Sequence, residues 1–203
     1  MATVAAKSYL TPAQYLSLER KSVVKHEYRR GETFETAGAS RDHNLIVLNV
    51  SCVIGNGFVN RPCEAYAANM RVLIESTGLY TYPDVVAVSG EPRFEDSEVD
   101  TLLNPTVIVE VLSPSTEAYD RGEKFAQFRT VPSLQEYILI EQDEVRIERF
   151  SRRGGQWVLT EWTSLDDVTR LDAIDCDVPL REVYAKVELP AKPTTSDPAR
   201  QGG

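Results

Sequence analysis

The sequence predicts an α/β (α+β) domain built on a mixed β-sheet flanked by helices. Three features predict it. Segments of helical spacing with cap signals are interspersed with segments of strand character. The stretch TVIVEVL (residues 106–112) is a β-branched apolar run, the pattern of a strand covered on both faces. After the helical segment that follows it, residues 136–162 read as strands joined by Gln142-Asp143 and Gly154-Gly155.

Taken in order, Thr11-Pro12 is an N-cap followed by proline at the first helical position, so a helix is expected to about Arg20. His26-Glu27-Tyr28 reads as a strand entering a turn at Arg30-Gly31. A second helix should follow Ser40 or Asp42, with Leu45, Leu48, Asn49 and Cys52 at helical spacing and Gly55-Asn56-Gly57 as its stop. Residues 70–75 alternate as a strand, and Ser76-Thr77-Gly78 turns the chain into a further strand over 82–88. The acidic segment 90–104 reads as an irregular surface loop. Pro114 ends the apolar strand, and a helix is expected over 117–129. Strands then cover 136–140, 144–150 and 156–162, and a last short helix spans 180–186.

The chain of 203 residues, 42% hydrophobic and 26% charged, fits one domain, expected over 1–189. The tail from 190 to 203 carries Pro, Ser, Thr and Gly with almost nothing to bury, so it is expected to be disordered. No run of about 18 apolar residues suggests a membrane span, and the N-terminus lacks the basic-then-apolar pattern of a signal peptide. Cys52, Cys63 and Cys176 have no CxxC spacing, which disfavours zinc and disulfides and fits a reducing cytoplasm. With only His26 and His43, imidazole-rich metal sites are disfavoured too. The net charge of −9 sits awkwardly with binding a phosphate backbone, which normally rests on clustered Lys and Arg.

Two acids stand where acids are costly. Asp84 opens an apolar strand, and Glu110 lies between Val109 and Val111 in the buried run. An unpaired buried carboxylate costs several kcal/mol, so Glu110 needs a cation, a proton or dense hydrogen bonding. Taken alone, it reads equally well as half of a structural salt bridge. Two acids on neighbouring strands with a lysine on the next helix form a site suited to Mg²⁺, which takes one or two carboxylates plus water and phosphate. Lys124 is placed to return from that helix, although by itself it reads as a solvated helix lysine.

Tyr82-Pro83-Asp84-Val85-Val86, then NPTVIVEVLSPST (residues 104–116), then Asp120 and Lys124, and finally VPSLQEYILI (residues 131–140) together resemble the Uma-two family. That family is placed in the PD-(D/E)xK restriction-endonuclease-like superfamily, and the resemblance runs from about residue 11 to 186. It implies a restriction-endonuclease-like fold and a Mg²⁺- or Mn²⁺-dependent endonuclease hydrolysing phosphodiester bonds of nucleic acid, with DNA as the expected partner. Asp84 and Glu110 would be metal ligands, with the Val111 backbone carbonyl as a third. Leu112 occupies the position of the motif's lysine, so Lys124 takes over that role. Glu27 matches an auxiliary acid, and equally well a simple partner for Lys25 or Arg29.

The remaining candidates are more modest. Asp120 would support Lys124 at i,i+4. Ser113 reads as a turn residue, His43 as a capping or solvent-facing histidine, Tyr82, Trp157 and Trp162 as packing residues, and Cys52 and Cys176 as core. A homodimer would suit cleavage of two antiparallel strands. Two rivals stay open: an inactive endonuclease-like module that binds a protein partner, and a carboxylate-pair hydrolase with another substrate.

Overall fold

The computed structural model describes residues 9–36 and 38–190, so the tail expected to be disordered lies, from residue 191 on, outside the described residues. In chain order come α1 (Pro12–Glu19), β1 (His26–Arg29), β2 (Glu32–Glu35), α2 (Arg41–Gly57), β3 (Cys63–Ala67), β4 (Arg71–Ile74), β5 (Leu79–Thr81) and β6 (Val85–Ser89). Then follow β7 (Thr101–Leu102), β8 (Val107–Val111), α3 (Glu117–Tyr119), a π-helical turn (Asp120–Lys124) and α4 (Phe125–Phe128). The chain closes with β9 (Glu136–Ile140), β10 (Ile147–Arg153), β11 (Gln156–Trp162), β12 (Val168–Leu171), β13 (Cys176–Pro179) and α5 (Leu180–Val183).

Six strands form the central sheet in the order β11-β10-β9-β8-β6-β3. It is mixed as expected: β8 and β9 run parallel, and the other neighbours are antiparallel. A second, five-stranded sheet has the order β2-β1-β5-β4-β7, and β12 pairs with β13 alone.

Alternation along β8 explains how the layers assemble, because successive side chains of a strand point to opposite faces. Val107, Val109 and Val111 pack with Ile46, Val50 and Ile54 of α2 and with Leu171, Ile174 and Val178 of the C-terminal hairpin. Ile108 and Leu112 point the other way, joining Phe125 and Phe128 of α4 and Val72, Ile74 and Leu79 of the second sheet. The central sheet is thus covered on both faces, which is why β8 is apolar at every position but one. Each fully buried side chain of this kind contributes about 1.5–3 kcal/mol.

Several local expectations fail for identifiable reasons. The helix after Ser40 forms, with the Ser40 hydroxyl accepting the His43 N–H, but it buries Ile46, Val47, Val50 and Ile54. Leu48 and Cys52 lie on its exposed side, so Cys52 is not a core residue, whereas Cys176 is buried. The strand expected over 82–88 begins only at Val85: β5 ends at Thr81, and the chain crosses from one sheet to the other through Tyr82-Pro83-Asp84. The acidic loop 90–104 contains β7, whose buried Thr101 and Leu102 pair with β4. Arg71 makes this possible by reaching Thr101 Oγ1 at 2.9 Å and Asp100 at 2.9 Å. The expected helix 117–129 is broken by its π-helical turn. Trp157 and Trp162 do pack against the core, and among the described residues no helix is long and apolar enough to cross a membrane.

The reassigned face of α2 yields a direct check. Ile54→Ala should cost about 2–5 kcal/mol, the range for deleting a buried aliphatic side chain, while Leu48→Ala should stay within about 0.5 kcal/mol. Urea unfolding of both variants measures the difference, and equal midpoints would contradict the packing described.

Candidate active site

The face of β8 that carries Ile108 and Leu112 also carries Glu110. Across the antiparallel pair, Val85 lies opposite Val109 and Val86 opposite Ile108. Continuing that register one step brings Asp84, immediately before β6, across from Glu110, on the same face. Asp84 is held at three points. Its Oδ2 accepts the Val111 N–H at 2.8 Å, its Oδ1 lies 3.1 Å from His43 Nε2, and its carbonyl accepts the Ala68 N–H at 2.7 Å. The Val111 N–H thus orients a carboxylate of the site.

Lys124 reaches the same place from the π-helical turn. Its Nζ lies 2.8 Å from Glu110, 3.4 Å from Asp120 and 3.6 Å from Glu27. The wider turn brings Asp120 and Lys124 to one side, and the carbonyl of Asp120 accepts the buried Tyr137 hydroxyl at 3.0 Å. Glu27 arrives from β1 in the second sheet, taking hydrogen bonds from the Thr81 hydroxyl and from Tyr119 at 3.2 Å. Glu27, His43, Asp84, Glu110, Tyr119 and Asp120 line an open cleft of about 810 Å³ between the β1–β2 hairpin, the start of α2 and the loop after β8.

Glu27, Glu110 and Asp120 set three carboxylates around one ammonium, and Asp84 lies across from Glu110. Burial pushes the Glu110 carboxyl well above its ordinary value; Lys124 opposes the shift, while Asp120 and Asp84 add to it. Burial likewise raises Asp120, against the pull of Lys124. For Lys124 burial works downward, but Glu110, Glu27 and Asp120 outweigh it and hold the amine well above the usual lysine range. The cluster is short of positive charge. Glu110 Oε1 is buried and has no well-directed hydrogen bond despite the nearby ammonium. Asp84 and Glu110 are therefore the pair that could take a divalent cation. Among the described residues no three His, Cys, Asp or Glu side chains form a ready metal shell. Two carboxylates with room for water and phosphate match the coordination habits of Mg²⁺.

The structure brings together all four side chains singled out from the sequence: Asp84, Glu110, Lys124 and Glu27. Glu27 faces Lys124, whereas Lys25 is engaged by Ala68 and Asn69 and Arg29 by Glu123. Asp120 stands beside Lys124 as expected, and Ser113 bonds within its own turn to Ser115 and Thr116. His43 departs from expectation: its ring is mostly buried against Asp84, neither capping a helix nor facing solvent. No local pattern links the two, because they lie 41 residues apart. Tyr82 lines the cleft and hydrogen-bonds Arg71 and Glu19, and Tyr119, whose hydroxyl holds Glu27, has no sequence signal beyond its place before Asp120.

The pairing of Lys124 and Glu110 can be tested through stability. Lys124→Met should destabilise by about 3–5 kcal/mol, because it strands carboxylates in a buried place. Adding Glu110→Gln should recover part of that loss. Chemical unfolding of the two single variants and the double variant reads the coupling, and strictly additive losses would mean that the two groups do not interact.

Comparison with known proteins gives the family. Residues 12–180 match the Uma2 family, which is described as "Putative restriction endonuclease". The uncharacterized protein sll1609 of Synechocystis is 40% identical over 162 residues, covering 79% of this chain and 92% of that protein. A second Synechocystis protein, slr1290, is 35% identical over 158 residues, covering 77% of this chain and 82% of its own length. Among solved structures, a crystal structure from Anabaena variabilis, titled as a "putative nuclease belonging to DUF820", superposes with a TM-score of 0.69 at 17% identity. It covers 86% of this chain and 97% of its own, and at that identity the likeness speaks for the fold. With residues 12–180 of the chain matched and two relatives above one-third identity, the chain belongs to the Uma2 family.

Proposed function

We propose that this protein is a Mg²⁺- or Mn²⁺-dependent endonuclease that hydrolyses phosphodiester bonds of nucleic acid, with DNA as the expected substrate. The family's description as a restriction endonuclease points to the class. The observation that carries the reading is the placement of Asp84 across from Glu110 on the floor of an open cleft, with Lys124 Nζ 2.8 Å from Glu110.

Asp84 and Glu110 would hold the metal, with the Val111 carbonyl as a further ligand. The metal supplies Lewis-acid stabilisation of phosphate charge and a lowered pKa for bound water. The chain's own groups divide the remaining work. His43 and the Val111 N–H fix the orientation of Asp84 before any ligand arrives, the kind of support that keeps a ligand set in register. Lys124 holds Glu110 and places a positive charge beside it, where negative charge grows on a phosphoryl group in the transition state. Glu27 and Asp120 hold the ammonium from two other sides.

The rival reading, a binding module without chemistry, draws on the net charge of −9 and on the few basic groups at the cleft. Titration calorimetry with Mg²⁺ and Mn²⁺, paired with cleavage assays on DNA and RNA, separates the two. Wild type should bind metal and cleave, and Asp84→Asn and Glu110→Gln should each lose at least about 100-fold in rate. His43→Ala should weaken metal binding by about 10- to 100-fold with the fold intact. Metal binding without cleavage of any nucleic acid would favour the binding module.

A further inference from the structure

The β1–β2 hairpin forms one wall of the cleft, and its register decides what it shows to the site. Glu27 lies opposite Phe34, and Arg29 opposite Glu32. Directly opposed residues in an antiparallel pair share a face, and so do residues two apart. Glu27, Arg29 and Phe34 therefore stand together on the cleft side, while Tyr28 turns away to stack on Tyr15 in the small core beneath. Phe34 is a direct cross-strand neighbour of the glutamate that touches Lys124. It lines the cleft with 45% of its surface exposed. The other exposed aromatic among the described residues, Tyr9, lies over Gly31 at the hairpin turn and does not line the cleft.

A large apolar ring is left half open to water beside a cluster of charges. Electrostatics supplies little grip on a duplex at this wall. The Lys25 amine is engaged by the Ala68 carbonyl at 2.7 Å and Asn69 at 3.0 Å, and Arg29 is paired with Glu123. Duplex binding rests on rows of phosphate contacts. Single strands can in addition be held by stacking an unpaired base on an aromatic ring, which is tolerant of sequence because every base has a π-face. The Arg29 guanidinium, 5.7 Å from the Phe34 ring centroid, would border such a base.

We infer that Phe34 is a base-stacking platform, and that the strand entering this cleft is single-stranded or locally unpaired, with one base on Phe34 and the adjoining phosphate over Asp84 and Glu110. The inference rests on the nuclease reading and narrows its substrate.

The test uses the full chain carrying Asp84→Asn, to suppress cleavage, with a short fluorescein-labelled oligodeoxynucleotide in magnesium buffer, read by anisotropy. The single strand should bind at least tenfold more tightly than the same sequence as a duplex. Adding Phe34→Ala should weaken single-strand binding by about 5- to 150-fold, the loss of one stacked base, while Phe34→Trp should keep it. Phe34 is solvent-exposed on an edge strand, so its replacement leaves the fold in place, which circular dichroism verifies. Unchanged affinity in Phe34→Ala, or a duplex bound as tightly as the single strand, overturns the inference. If wild type nevertheless cleaves DNA in a metal-dependent manner, the nuclease reading survives that outcome. If neither form binds and nothing is cleaved, both readings fall together.

Discussion

The ammonium of Lys124 lies between carboxylates that arrive from three separate parts of the chain: Glu110 from the central sheet, Glu27 from the second sheet and Asp120 from its own helical turn. Taking an ion out of water costs several kcal/mol, and the attraction of partners recovers this only when their geometry is good. Every element that supplies a partner is accordingly constrained. The second sheet must bring Glu27 over the central one, and the helix after β8 must carry its lysine back toward the strand it has just left. The cleft is the space these constraints leave open, with Asp84 reaching it from the neighbouring strand.

Asp84 shows how fixed the arrangement is in the chain by itself. The chain leaves β5 in one sheet and enters β6 in the other within three residues, and the buried Pro83 sits at the crossing. Proline has no N–H to give to a ladder, so the crossing breaks the strand at no cost in lost pairing there. Asp84 is left with its carbonyl, Oδ1 and Oδ2 each engaged by a different segment. A carboxylate so constrained loses little further freedom when it takes a ligand.

What was legible in the sequence was what is written locally. The doubly buried β8, the caps at Thr11 and Ser40, and the strand over 136–140 follow from periodicity and turn chemistry, and the two costly acids announce themselves by their surroundings. What was not legible depends on pairing at a distance. Strand β7 exists because Arg71, far upstream, compensates the acids around Thr101. Strands β12 and β13 are short and acquire meaning only when Leu171 and Val178 meet α2. The inward face of α2 was misread because Leu45 and Leu48 offer a helical stripe as good as that of Ile46, Val50 and Ile54, and only the sheet chooses between them. His43 fell outside the expected site for the same reason: its partner is made adjacent by the fold.

The π-helical turn at Asp120–Lys124 has a bearing on how such a site could arise or be lost. A widened turn holds one more residue than an ordinary helical turn does. Removing a residue from it would let i→i+4 bonds replace the i→i+5 bonds and would change the side on which Lys124 stands relative to Asp120 and Glu110. A single-codon deletion in this stretch would therefore alter the pairing of Lys124 with Glu110 without erasing the sequence motif around Glu110. Relatives that keep both acids yet differ in length here need not share a chemistry, and alignments that ignore one gap would miss the distinction.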